Sequence, residues 1–251
     1  MRFFGLIGKK LEHSFSPEYF KKKFEKEGIS GVYYQLFPLQ NIDQFNQLIT
    51  DYTELFGLNV TIPYKQEIIP FLDEIDTNAK EIGAVNTIKF NRSNNKLCLK
   101  GYNTDYLGFL ESIKPLLKPY HTKALILGTG GSSKAVEYAF KISGIETLKV
   151  SRESKGNNII TYQDINPALI DEYKIIVNTT PLGMYPNTEA FPDISYQHIK
   201  EGHLVYDLIY NPETTQFLAK AMQMGAIVKN GLEMLEKQAE YAWKIWNNIP
   251  F

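Results

Sequence analysis

The apolar run at residues 124–127 is too short for a helix and too apolar for a loop, which predicts a buried parallel strand. Gly128, Gly130 and Gly131 then turn the chain, and Ala135, Val136, Ala139 and Phe140 recur at helical spacing beyond them. Either Ser132 or Ser133 can cap that helix. Upstream, residues 3–7 predict a short strand closed by Gly8, and Ser16 before Pro17 predicts a helix start, with Gly28 as its end. Residues 58–62 alternate, placing Leu58, Val60 and Ile62 on one face and Asn59 and Thr61 on the other. Pro63 stops that ladder, and Lys65 heads a short helical stretch that Pro70 ends. Residues 83–88 lead into a hairpin with 91–95 as its loop and 96–100 returning. Leu107, Leu110 and Ile113 then read as a helix.

Past the glycine turn the pattern is βαβ, with strands at 148–150, near Ile159, at 175–178 and at 204–208. A last helix, opened by Gly231, presents Leu235, Ala239, Ala242, Trp243 and Trp246 on one apolar face. Gln238 lies on that face and needs a polar partner, for which a ligand hydroxyl is one candidate.

A chain of 251 residues, 43% hydrophobic, is long enough for one large or two ordinary domains. Lys plus Arg number 27 against 28 Asp plus Glu, a net charge of -1, which argues against a nucleic-acid partner. No apolar run reaches the ~18 residues of a membrane span, and no signal peptide is expected at the N-terminus. Cys98 is the single cysteine and reads as a structural thiol of a cytoplasmic protein. The histidines lack metal-site spacing, so no metal is expected.

Strand, glycine turn and helix together make a phosphate cradle, because glycines admit a pyrophosphate to the backbone and a helix N-terminus favours negative charge. The residues run Gly-x-Gly-x-x-Ser rather than the three-glycine fingerprint, and an ordinary tight turn is the alternative. Where an NAD site carries an acid after the second strand, this chain has Ser151 and Arg152, with Lys155 close by. Arg152 reads as a partner for the 2′-phosphate of NADP, or as an exposed loop arginine. Thr179 and Leu208 end or follow later strands at the same ligand-binding edge. In the first half, Ser14 shares a side with Ser16, which as a helix start reads as a cap. Asn59, Thr61 and Asn86 sit at strand ends beside Lys65 and Asp105, a set that suits a polyhydroxylated ligand. Asp105 can be a helix N-cap or a charged carboxylate held by the helix end.

Taken together, Gly5-Leu-Ile-Gly, His13-Ser-Phe-Ser-Pro, Asn59-Val-Thr-Ile-Pro-Tyr-Lys65, Gly83-Ala-Val-Asn-Thr, Asn103-Thr-Asp105, Gly128-Thr-Gly-Gly, Asn178-Thr-Thr-Pro-Leu-Gly-Met and Asp207-Leu-Ile-Tyr-Asn-Pro resemble the shikimate dehydrogenase family. The resemblance implies an α/β protein of two domains flanking a cleft. Residues 1–105, joined by a returning C-terminal helix at about 235–251, would bind substrate, and a Rossmann-like domain at 106–234 would bind NADP. It implies reversible NADPH-dependent reduction of 3-dehydroshikimate to shikimate, a step toward chorismate and the aromatic amino acids, by a monomer or homodimer. Lys65 and Asp105 would be the catalytic pair, while Ser14, Ser16, Asn59, Thr61, Asn86 and Gln238 would bind shikimate. Tyr210 and Gly231 would lie where substrate and nicotinamide meet. NADP-using members usually read Asn-Arg-Thr where this chain reads Ser151-Arg152-Glu153, which leaves an NAD-using quinate/shikimate dehydrogenase as the nearest alternative. A dinucleotide-binding sensor without chemistry is a further one, although a pure binder needs neither Lys65 nor Asp105.

Overall fold

The computed structural model describes residues 1–12, 14–93, 96–153, 156 and 158–251, and the strands among them form two six-stranded sheets. One unit takes Met1–Thr104 and Gln238–Phe251, and the other takes Asp105–Lys237. The first contains β1 (Arg2–Gly8), α1 (Ser16–Lys26), β2 (Val32–Pro38), α2 (Gln44–Asp51), β3 (Leu55–Val60), β4 (Glu74–Ile75), α3 (Thr77–Ile82), β5 (Thr87–Ser93) and β6 (Lys96–Tyr102). The second begins with α4 (Asp105–Ile113), β7 (Lys123–Leu127), α5 (Gly131–Ile142), β8 (Glu146–Ser151) and β9 (Ile159–Thr161). It continues through α6 (Pro167–Glu172), β10 (Ile175–Asn178), β11 (Leu204–Asp207), α7 (Gln216–Gln223) and β12 (Ile227–Lys229). The last helix, α8 (Leu232–Trp246), passes from the second unit to the first after Lys237.

In the first unit the sheet order is β2-β1-β3-β5-β6-β4. β1 is parallel to β2 and β3, whereas β5 is antiparallel to both β3 and β6. The helix α1 provides the crossover that a parallel β1–β2 pair requires. Val60 pairs with Ile7, Asn59 with Thr87, and Thr87 with Tyr102. That register brings Thr61, Asn86 and Asn103 out of the sheet at one edge. One face buries Leu55, Leu58, Val60, Ile68, Ile88 and their neighbours. The other packs Phe4 and Phe20 against Ala239, Ala242, Trp243 and Trp246. The Trp246 indole Nε1 donates to Ile88 O at 3.0 Å, which pins the end of α8 to this sheet.

The second sheet is parallel throughout, in the order β12-β11-β10-β7-β8-β9. Counted within the unit this is 6-5-4-1-2-3, the doubly wound arrangement in which the chain reverses direction between β7 and β10. Leu127 pairs with both Val150 and Asn178, and Asn178 with Asp207. The residues that follow, Gly128, Ser151, Thr179 and Leu208, therefore share the carboxyl edge.

Several local expectations are corrected. The strand expected at 58–62 ends at Val60, and Ile62 is 64% exposed instead of sharing a buried face. Pro70 lies inside a 3-10 turn, Ile69–Phe71, because proline suits a first turn where its missing N–H costs nothing. The hairpin strand extends through Ser93 rather than stopping before 91. β2, α2, α3 and β12 were not anticipated; β12 has only 3 residues, too few to show a period. No helix among the described residues is long and apolar enough to cross a membrane.

Candidate active site

At the edge of the first sheet the polar side chains are bonded to one another. Asn86 Oδ1 accepts from the Thr104 N–H at 2.7 Å and from Thr87 Oγ1 at 3.1 Å. Its Nδ2 donates to Thr104 Oγ1 at 2.9 Å and to Gln238 Oε1 at 3.4 Å. Asn59 Nδ2 donates to Asn86 O at 3.3 Å and Thr87 Oγ1 at 3.2 Å. All five residues are buried, and no buried side-chain polar atom among the described residues lacks a partner. Of the expected substrate residues, Asn59, Asn86 and Gln238 thus meet in one cluster, although Gln238 lies 152 positions from Asn86.

Lys65 sits in the turn that follows β3, and its carbonyl accepts from the Val85 N–H at 2.7 Å. Thr61 holds the start of that turn, its N–H donating to Ile7 O at 2.9 Å while its carbonyl accepts from Tyr64 N. Ser14 precedes α1, with its N–H on Leu11 O at 3.0 Å. Asp105 is buried and opens α4 as its first-turn acid, directly after Thr104. Ser16 is not a cap: it is the first residue of α1, which has no side-chain cap, and it is buried there. Tyr34 was not anticipated, for it stands in no motif and does not break the strand pattern around it; Thr87 closes the Gly83-Ala-Val-Asn-Thr motif, but no role at the site was expected of it.

In the second unit Gly128 has φ +112°, a conformation that suits glycine, and a Cβ there would meet Thr179 Oγ1 at 2.6 Å. A Cβ at Gly130 would meet nothing within 4 Å, so the backbone there faces open space. The expected serine cap is absent: Gly130 precedes α5 with no side-chain cap, and Ser133 Oγ donates to Gly128 O at 2.7 Å. That bond closes the turn between β7 and α5. Gly131 and Ser132 form the first residues of α5. Thr179 Oγ1 donates to Leu127 O at 2.7 Å, tying the end of β10 to the same turn. Arg152 is exposed just past β8, and Glu153 beside it is exposed too. Lys155 lies outside the described residues, as does His13 of the motif Ser14 belongs to. An open backbone turn and a helix start at the β7/β10 reversal, with an exposed arginine after the neighbouring β8, have the chemistry to take a phosphorylated dinucleotide.

Behind this edge Asp207 is fully buried. Its carboxylate accepts from Thr215 Oγ1 at 2.7 Å and from Ile209 N and Asn178 Nδ2, both at 3.0 Å. Burial pushes its pKa up to about 6, against the pull of those three donors. Asn178 Oδ1 in turn accepts from Thr180 N and Thr180 Oγ1, so the network holds the loops after β10 and β11 in shape. Tyr210 follows in the second of those loops and is partly buried. Gly231 is needed for close approach: a Cβ there would lie 2.0 Å from Leu208 O.

A family profile described as the shikimate dehydrogenase substrate binding domain matches residues 6–88. The NADP(+) shikimate dehydrogenase of Methanosphaera stadtmanae is 37% identical over 261 residues, covering 96% of this chain and 90% of its own. Among solved structures, shikimate dehydrogenase 1 of Peptoclostridium difficile superposes with a TM-score of 0.83 at 39% identity, covering 100% of this chain and 93% of its own. The Aquifex aeolicus shikimate dehydrogenase gives a TM-score of 0.87 at 35% identity, with 99% and 93% coverage.

Proposed function

The chain belongs to the shikimate dehydrogenase family, and from that premise we propose how its residues divide the reversible NADPH-dependent reduction of 3-dehydroshikimate to shikimate. The protein is an NADP-dependent oxidoreductase with an α/β fold. Met1–Thr104 with the end of α8 holds the substrate, and Asp105–Lys237 holds the dinucleotide, acting in the cytoplasm. NADPH, when bound, supplies the hydride; everything else falls to the side chains.

A proton must reach the carbonyl oxygen as hydride reaches carbon, and must leave the hydroxyl in the reverse direction. Lys65 and Asp105 are the pair that moves it. One observation carries this assignment: both are tied to Asn86 through the backbone. Lys65 O accepts from Val85, the residue before Asn86, and Asp105 follows Thr104, which Asn86 grips. Asn59, Asn86 and Gln238, with Ser14, Ser16 and Thr61 around them, orient the ring hydroxyls and the carboxylate. Gly128, Gly130, Gly131, Ser132, Ser133 and Thr179 receive the pyrophosphate, Ser151 and Arg152 the 2′-phosphate, and Leu208, Tyr210 and Gly231 border the nicotinamide.

Steady-state rates with shikimate and with quinate, each with NADP and with NAD, test the reading. Shikimate with NADP gives the highest kcat/KM. A higher value for quinate with NAD replaces the substrate and cofactor named here.

A further inference from the structure

We propose that Tyr34 is a positioning residue for the substrate, fixing the Asn59 carboxamide so that it accepts a hydrogen bond from a ligand hydroxyl and cannot donate one. The inference rests on the placement of Asn59 in the substrate site proposed above. Tyr34 lies on β2 and Asn59 near the end of β3, with β1 between them. The Tyr34 hydroxyl donates to Asn59 Oδ1 at 2.8 Å. The residue as a whole is only partly buried, but its hydroxyl end lies deep, where burial pushes the phenol pKa far up and keeps the proton in place for donation.

Hydrogens can be counted. A carboxamide has two N–H hydrogens, and those of Asn59 go to Asn86 O and Thr87 Oγ1. Its oxygen has two lone pairs, of which Tyr34 takes one. What remains toward a ligand is a single acceptor lone pair. Rotating the amide by half a turn would set its oxygen against the Asn86 carbonyl, acceptor facing acceptor, and lose the bond to that carbonyl. The phenol has one hydrogen, and it goes to Asn59. Its ring is held independently of its hydroxyl by stacking on Phe20 at 4.4 Å between centroids.

Tyr34→Phe removes the hydroxyl and keeps the stack. The KM for shikimate rises about three- to tenfold, the worth of one neutral hydrogen bond, while kcat and the KM for NADP stay within about twofold. Shikimate analogues lacking one ring hydroxyl at a time identify the group Asn59 accepts from: the penalty for one of them shrinks in Tyr34→Phe by the same factor. 3-Fluorotyrosine at position 34 keeps both shape and hydroxyl, and restores the KM. A lowered Tm with unchanged KM and unchanged analogue discrimination makes Tyr34 merely structural and overturns the proposal, as does a fluorotyrosine protein that behaves like Tyr34→Phe. Failure of the underlying reading looks different: Asn59→Ala then leaves shikimate binding untouched.

Discussion

Asn86 and Thr104 are joined twice, the Thr104 N–H donating to Asn86 Oδ1 at 2.7 Å and Asn86 Nδ2 donating to Thr104 Oγ1 at 2.9 Å. Thr104 is wholly buried and is the last residue before Asp105. The side chain just before β5 thereby holds the last residue of the first unit's first segment.

Asn86→Ala strands the buried Thr104 N–H, and an unsatisfied buried donor costs about 1–3 kcal/mol. Urea unfolding should show a loss in that range, together with a raised KM for shikimate. Stability within about 0.5 kcal/mol of wild type would show that water replaces the amide and that Asn86 does not hold this junction.

Lys65→Met and Asp105→Asn should each lower kcat by about 10²- to 10⁴-fold, the usual worth of general acid–base catalysis, with a much smaller change in shikimate affinity. Because the two act as one unit, the double variant should be far less impaired than the product of the single effects. Collapse of shikimate binding with an intact chemical step in single-turnover measurements would make them substrate anchors.

Arg152→Ala should weaken NADP about ten- to a hundredfold, as expected for a charge-assisted bond to a phosphate, and leave NAD nearly unchanged. Titration of both cofactors by fluorescence or calorimetry decides it. Equal losses for the two would make Arg152 a structural residue of the loop after β8.

Asp207 gives the protein a pH dependence of known sign. Its folded pKa, about 6, is above the ordinary aspartate value of 3.8, so folding favours the protonated carboxyl. That contribution is fully present below about pH 4 and is lost as pH rises through 6, a span of up to about 3 kcal/mol. Wild-type stability minus that of Asp207→Asn should therefore fall between pH 4 and pH 7. A flat difference would mean the three donors compensate the burial in full.

Gly231→Ala would set a methyl group 2.0 Å from Leu208 O. The backbone after β11 must then move, so soluble yield and Tm should drop, with a larger loss for NADP than for shikimate. An unchanged melting curve would place flexibility where the structure has close contact.

Residues 124–140 disclosed strand, turn and helix because each signal is local: apolar run, glycines, then helical spacing. The same holds for Asn59 and Asn86 at strand ends, and for Gln238, a polar residue out of place on an apolar face. Ordered motifs also carried the family. What periodicity reports is which face of an element is apolar, not which distant face it meets. The Asn86–Gln238 contact spans 152 positions, the Tyr34–Asn59 bond 25, and no local pattern encodes either. Ser16 before Pro17 reads as a helix cap, yet it is already the first residue of α1, whose start has no side-chain cap. Likewise Gly231 looks like any helix-opening glycine until Leu208 is brought against it. Strand order, and with it the common edge of Gly128, Ser151, Thr179 and Leu208, exists only once the parallel pairs form, because their partners are joined by whole helices rather than by turns.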